Sequence, residues 1–325
     1  MSFTHNFSTH RTSVKRAALF VVYAFLLLAF RFAIAAPHEE PKATPLMNAA
    51  FAGNISAIKA LIDTGANVNE GNAYGDTPLH YTLRRTSLGR RKGRIGVVAM
   101  LVTHGANVNS RASNGTTPLM EASGIGDTDA VTYLLEHGAL LNSADAAGRT
   151  ALSLAARQLY SDIVLTLVAR GANTDIRDDQ GRTPLMWAID AVSFPVPPQS
   201  DERTAQQKEL LPIVELLLAH RVDVNSADKS GWTPLALAVD RDSPDVVDAL
   251  VNHGANIDVP VSSMGNETPL MLAIRRNSQR MLKTLIAAKP DFSLVNSQGR
   301  TALSYARGYR DTDMIEMLQK AGAVR

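Results

Sequence analysis

Leucines recur along this chain at a fixed step. Leu46, Leu79, Leu119, Leu152, Leu185, Leu235, Leu270 and Leu303 each open a short apolar run, and four of the seven steps between them are 33 residues. In six of the units a second leucine follows 15 residues after the first, as in Leu46/Leu61, Leu119/Leu134 and Leu303/Leu318. Each unit therefore holds two apolar segments, and each segment is too short to bury a face alone. A period of this length predicts a stacked array in which every unit completes its core against its neighbours. Such arrays present an extended surface and few closed pockets, which favours binding over catalysis.

The residues that bound each segment predict helices. The leading leucine follows Thr-Pro in six units and Thr-Ala at Thr150 and Thr301. Threonine caps a helix through its hydroxyl, and proline at the first helical position gives up an N–H that has no partner there. A short first helix follows, such as Pro184 to Ile189, then a turn and a second helix, such as Ala130 to Glu136. Glycine ends the second helix at Gly105, Gly138 and Gly254, each preceded by histidine, because glycine takes the left-handed cap without a Cβ penalty. Val-Asn or Ile-Asp then leads to a tight turn at Gly75, Gly115, Gly148, Gly181, Gly231 or Gly299. Arg221 and Lys289 stand where two units need the capping glycine, at a cost of about 1 kcal/mol each if the left-handed geometry is kept.

The phrases Gly75-Asp76-Thr77-Pro78-Leu79-His80 and Gly105-Ala106-Asn107-Val108-Asn109, with their copies, resemble the ankyrin repeat family over about residues 43–323. The resemblance implies an all-α solenoid of about eight helix-turn-helix units, joined by β-turn or hairpin fingers and curved into a concave slab. The units start near residues 43, 75, 115, 148, 181, 231, 266 and 299. Two insertions break the period, near residues 84–94 and 192–211. Both fall between the two helices of a unit and are expected to project from the rim opposite the fingers. Asp201 to Leu211 is expected to add a turn or two of helix before Pro212 restarts the regular one. In the last unit Gln319 follows Leu318 where inner units have paired apolar residues, as suits a unit with no neighbour beyond it.

Charge alters this reading only at the N-terminus. The 325-residue chain has a formal net charge of +2, but Arg11, Lys15, Arg16 and Arg31 fall in a leader without acids. Residues beyond 35 carry 29 basic and 31 acidic side chains, so nothing global points to nucleic acid. Within the leader, three basic residues precede an apolar run from Ala17 to Phe30, and Ala33-Ile34-Ala35 forms a small-x-small site. These are the parts of a secretory signal over residues 1–35, cleaved near Ala35, with residues 36–42 a polar linker. The competing reading is an uncleaved anchor over 17–36, against which Arg31 argues, since a charge inside a bilayer costs a few kcal/mol. Under both readings the array is expected to be exported, to the periplasm or the medium, and cleavage would leave no membrane span. The chain has no cysteine, which removes disulfides, thiolate chemistry and a lipidated cysteine.

Catalytic motifs do not emerge. There is no nucleophile elbow, zinc-protease helix or phosphate loop, and Gly124-Ile125-Gly126 is too short for a nucleotide fingerprint. Asp175, Asp178, Asp179 and Gly181 suggest a calcium loop only faintly, since their spacing is wrong and they fall on a finger. His104, His137, His220 and His253 share one slot in four units, too far apart in a stack for one metal shell. They are expected to bond the adjacent finger backbone, and His80 likewise. No cofactor, metal or enzymatic role is expected. The alternative, an enzyme with Asp201, Glu202 and Lys208 in the fifth-unit insertion, shares its pattern with any polar helix.

The candidate binding residues lie on the fingers and the ends of the first helices. Tyr74 and Trp232 sit in fingers, and Trp187 and Tyr81 lie at equivalent positions of the first helix. Arginine recurs where the resemblance places the inner face: Arg149, Arg182 and Arg300 in fingers, and Arg84, Arg85, Arg157, Arg241, Arg275 and Arg276 near helix ends. Asp76, Glu121, Asp190 and Asp240 interrupt them. One reading is a groove for an acidic segment of a partner protein, since arginine pairs bidentately with carboxylate. The plainer reading is solvated surface charge. The basic stretch 84–94 offers a further alternative, contact with anionic lipid. The expectation is a monomeric protein-binding module, which the resemblance to exported family members casts as a stress-protection scaffold or a toxin-neutralising immunity protein.

Overall fold

The computed structural model describes residues 43–84, 94–192, 201–220 and 222–323, with side chains from Lys208 onward in the third stretch. The leader and linker, most of the basic insertion including Arg85, residues 193–200 and Arg221 lie outside the described residues.

Among the described residues sixteen α-helices form eight pairs. The first four pairs are α1 (Pro45–Ala52) with α2 (Ile55–Asp63), α3 (Pro78–Leu83) with α4 (Ile95–Thr103), α5 (Pro118–Ile125) with α6 (Thr128–Glu136), and α7 (Ala151–Arg157) with α8 (Ser161–Ala169). The last four are α9 (Pro184–Asp190) with α10 (Asp201–Leu218), α11 (Pro234–Asp240) with α12 (Pro244–Asn252), α13 (Pro269–Arg275) with α14 (Gln279–Ala287), and α15 (Ala302–Tyr309) with α16 (Thr312–Lys320). Odd-numbered helices pack on their odd neighbours and even on even, giving two parallel rows. All eight leading leucines are buried, and so are the second leucines except half-buried Leu61, whose helix α2 packs on a single even-numbered neighbour among the described residues.

Thr44, Thr117, Thr150, Thr183, Thr233, Thr268 and Thr301 cap the first helices, each hydroxyl accepting from the N–H three residues on at 3.2–3.4 Å. Thr77 works through His80 instead. The Thr77 N–H donates to His80 Nδ1 at 3.2 Å, and Nε2 lies 3.2 Å from the Thr116 carbonyl of the next finger. His80 is therefore a neutral imidazole, and its burial lowers its pKa from the ordinary 6.5. At the other end, Gly105 takes φ +88° and Lys289 is held at +59° in the equivalent slot, so the left-handed cap is kept without glycine.

Two features depart from expectation. The α10 helix runs unbroken through Pro212. Pro212 and Lys208, whose carbonyl loses its partner, are both exposed, so the missing N–H falls on the solvent side of the helix. His104, His137, His220 and His253 bond their own helices, each Nδ1 lying 2.7–2.9 Å from the carbonyl four residues back. They close helix ends and do not reach the adjacent finger.

The fingers are stitched together by backbone and by asparagine. Ser113, Ala146, Asp179, Lys229, Ser263 and Ser297 each donate an N–H to the preceding finger at 2.7–3.2 Å. Asn109 clasps the next unit from both sides, Nδ2 to the Gly138 carbonyl at 2.9 Å and Oδ1 from the Leu140 N–H at 2.8 Å. Asn69 and Asn225 repeat this clasp. Among the described residues the fingers contain only isolated bridges, Ala144 with Thr150 and Val261 with Glu267, and no strand.

Candidate binding face

Three positions of each unit meet on the face shared by fingers and first helices: the residue before the capping threonine, and the fourth and seventh residues after it. In the second unit these are Asp76, Tyr81 and Arg84, in the fifth Arg182, Trp187 and Asp190. Their side chains touch, which places the three columns on one surface. Arg84 lies 3.4 Å from Asp76 and 5.3 Å from the Tyr81 ring centroid. Tyr81 is buried beneath it, its hydroxyl accepting from Asn72 at 3.1 Å, so it does not share the half-exposed position of Trp187.

Charge on this face is organised as a lattice. Arg182 joins Asp190 at 2.8 Å and Asp228 at 3.2 Å. Arg241 also reaches Asp190, with Nε at 3.1 Å, and approaches Asp240 at 3.5 Å. Arg276 closes on Asp240 with Nε at 2.9 Å. One alternating chain, Arg182–Asp190–Arg241–Asp240–Arg276, thus crosses the fifth, sixth and seventh units. Burial opposes the ionisation of Asp190, but Arg241 and Arg182 outweigh it and hold the carboxyl below its usual range. Arg149 grips Asp145 through Nε at 2.8 Å and Nη2 at 2.6 Å. The Asp145 and Asp228 side chains are only 2% and 3% exposed. Removing either arginine would strand a buried carboxylate, so Arg149 and Arg182 hold the fingers before they can serve a partner. Arg275 stands 3.0 Å from Glu267, an electrostatic contact without hydrogen-bond alignment, and Glu267 accepts the Tyr305 hydroxyl at 2.6 Å.

Few candidates remain unengaged. Arg157 is exposed, and its guanidinium lies 4.8 Å from the Trp187 ring centroid, with that of Arg182 at 5.1 Å from the same ring. It has no carboxylate partner among the described residues. Burial of its stem and repulsion from Arg149 lower its pKa, Asp190 works the other way, and Arg182 adds to the lowering. Trp187 is fixed from behind, Nε1 donating to Asp178 at 2.8 Å. Arg300 is exposed on its finger and makes no ion pair among the described residues. Tyr74 is 43% exposed at a fingertip, and its carbonyl accepts from Ser113. Trp232 is half-buried against the core.

Glu121 is one of the acids that interrupt the arginines along the chain. It holds the fourth position of the third unit, half-buried, without an ion pair or hydrogen bond among the described residues. Burial pushes its carboxyl up to about 7, against an opposing pull from Arg84 and with a further push from Asp76. A neighbouring glycine, Gly124, takes the seventh position, where other units carry Arg84, Arg157 or Asp190. The signal that marks it is a glycine inside a helix with no turn to make. Neither phosphate nor metal chemistry gathers here. Among the described residues no cluster of three or more histidine, cysteine, aspartate or glutamate side chains is placed to hold an ion. The side chains of the alternative site near Asp201 and Glu202 lie outside the described residues. No described helix is long and apolar enough to cross a membrane.

Comparison with known proteins points the same way. The family model described as ankyrin repeats (3 copies) matches residues 24–112, 90–178, 204–261 and 261–324. Neurogenic locus notch homolog protein 1 of Homo sapiens is 35% identical over 107 residues, 33% of this chain and 4% of that protein. Its Xenopus tropicalis counterpart is 34% identical over the same length. Alpha-latrotoxin-Lg1a of Latrodectus geometricus is 29% identical over 120 residues, 36% of this chain and 9% of the toxin. The chain thus spans less than a tenth of these relatives, and the likeness is one of repeats. With the family model matching most of its length, the chain belongs to the ankyrin repeat family.

Proposed function

We propose that this protein is an exported, non-enzymatic interaction module that binds one protein partner through its inner face and fingers. Ankyrin repeats are in general protein–protein interaction modules, and proteins built from them are typically binding scaffolds. The observation that carries the reading is the Arg–Asp lattice. It fixes the side chains of the inner face across units, while Arg157 and Arg300, without an ion pair among the described residues, and exposed Tyr74 stand on that surface. A preordered surface loses little side-chain entropy on binding, and arginine and tyrosine are favoured anchors. Unengaged cations suit a partner with an acidic segment. The leader supports export, and the lack of cysteine suits a bacterial periplasm. There the module acts as an immunity protein against a delivered toxin or as a stress-protection scaffold. The first role calls for very tight binding of one protein, the second for weaker binding.

The test is capture from a cell-envelope extract with the exported form, whose N-terminus is expected at Ala36, followed by photo-crosslinking. A crosslinker replacing Tyr74 on a finger is expected to reach the partner. One replacing Leu165, which is 54% exposed on α8, is expected not to. Labelling from position 165 alone would move the binding surface to the opposite side, and an intact leader on cytosolic protein would end the export reading.

A further inference from the structure

Gly124 lies within α5 at an ordinary helical φ, and a Cβ added there would meet no atom within 4 Å. A glycine inside a helix costs about 1 kcal/mol relative to alanine. Neither backbone conformation nor crowding accounts for that cost here. The absent side chain leaves a cleft of about 260 Å³ between the third and fourth units. Leu154 and Ile125 give it an apolar wall, and Glu121, Arg157 and Gln158 line it with polar groups.

We propose that this cleft seats one acidic side chain of the partner, its stem against Leu154 and its carboxylate on the Arg157 guanidinium. The inference rests on the inner-face reading above and names the chemistry of its central contact. The neighbouring cations are already committed, Arg149 to Asp145 and Arg182 to Asp190 and Asp228. Arg157 alone of the three makes no ion pair among the described residues, and stacking on Trp187 holds its guanidinium in place. A planar fork held on an aromatic face is well suited to accept a carboxylate bidentately. A lysine or arginine from the partner would instead meet Arg149 and Arg157, and the Asp145 carboxylate in the lining is already held by Arg149. Glu121 opposes the acid less than an ordinary carboxylate would, because burial pushes its carboxyl up to about 7 and leaves it largely protonated below that pH.

The probe is a set of end-blocked glycine-serine peptides with two central glutamates, glutamines or lysines, titrated into the purified protein and followed by the NMR signal of the Trp187 indole N–H. The glutamate peptide is expected to bind at least about tenfold more tightly than the others, as for a charge-assisted pair. Arg157→Met is expected to abolish that preference. Gly124→Met fills the cleft and is expected to weaken glutamate-peptide binding by about tenfold or more, while its Tm holds or rises because a helix glycine is removed. This separates blockage from unfolding. Equal binding of the three peptides, no binding at millimolar peptide, or undiminished binding by Gly124→Met each overturns the proposal. A captured partner that crosslinks from position 74 and is retained by Gly124→Met removes the cleft but leaves the inner-face reading. A partner that crosslinks only from position 165 removes that reading itself.

Discussion

Glu121 shows what a single carboxyl costs when it is placed without a partner. Its pKa is raised from 4.5 to about 7, chiefly by burial. The unfolded chain gives up this proton more readily than the folded one, so the folded state is favoured fully below pH 4.5 and loses that advantage as pH rises through about 7. Glu121→Gln is therefore expected to stabilise the protein above pH 7 by about 1–2 kcal/mol, allowing for solvent screening of a half-exposed group. The gain should shrink toward zero near pH 4.5. Thermal melts of both proteins from pH 4.5 to 8.5 check this, and a gain independent of pH would show that the carboxyl is not the cause. Residue identity and spacing were enough to notice Glu121, but not to see that its neighbours leave it unpaired.

At the level of the helical hairpin, local chemistry explains nearly everything. Threonine caps, the leading proline and the glycine end cap each act within about four residues, so they can be read directly from the chain. Lys289 is the informative exception. It sits at φ +59° where its counterparts are glycine. Lys289→Gly is expected to raise stability by about 1 kcal/mol by relieving the left-handed strain. Chemical denaturation measures this, and an unchanged midpoint would mean that side-chain contacts of Lys289 offset the strain. Pro212, by local rules a helix boundary, lies inside α10. The rule against proline inside a helix assumes that the freed carbonyl and the ring have nowhere to go, and on an exposed helix face both are accommodated.

Across the whole array, stability is a sum of unit and interface terms, so a contact that joins units matters beyond its own strength. Asp190 accepts from Arg182 in its own unit and from Arg241 in the next. Asn at this position keeps the shape but cannot balance two guanidinium charges. Asp190→Asn is expected to destabilise by about 1–2 kcal/mol. Amide exchange is expected to quicken in α9 and α11 together, while α1, α2, α15 and α16 change little. Loss of protection confined to α9 would show that the lattice does not couple the units.

Repeat number, stacking order and the capped helix starts follow from the chain alone, because each phrase commits its own hairpin and the hairpins need only their nearest neighbours. Export can be argued from the leader for the same reason of locality. The status of each arginine could not be read this way. Arg241 meets an aspartate 51 positions away and Arg276 one 36 positions away, whereas Arg157 meets an aromatic ring and no acid. Those outcomes depend on which side chains the stack brings within a few ångströms, and on whether a neighbour such as Gly124 leaves space. Packing between units therefore divides chemically identical residues into ion-paired braces and cations without an acid partner among the described residues.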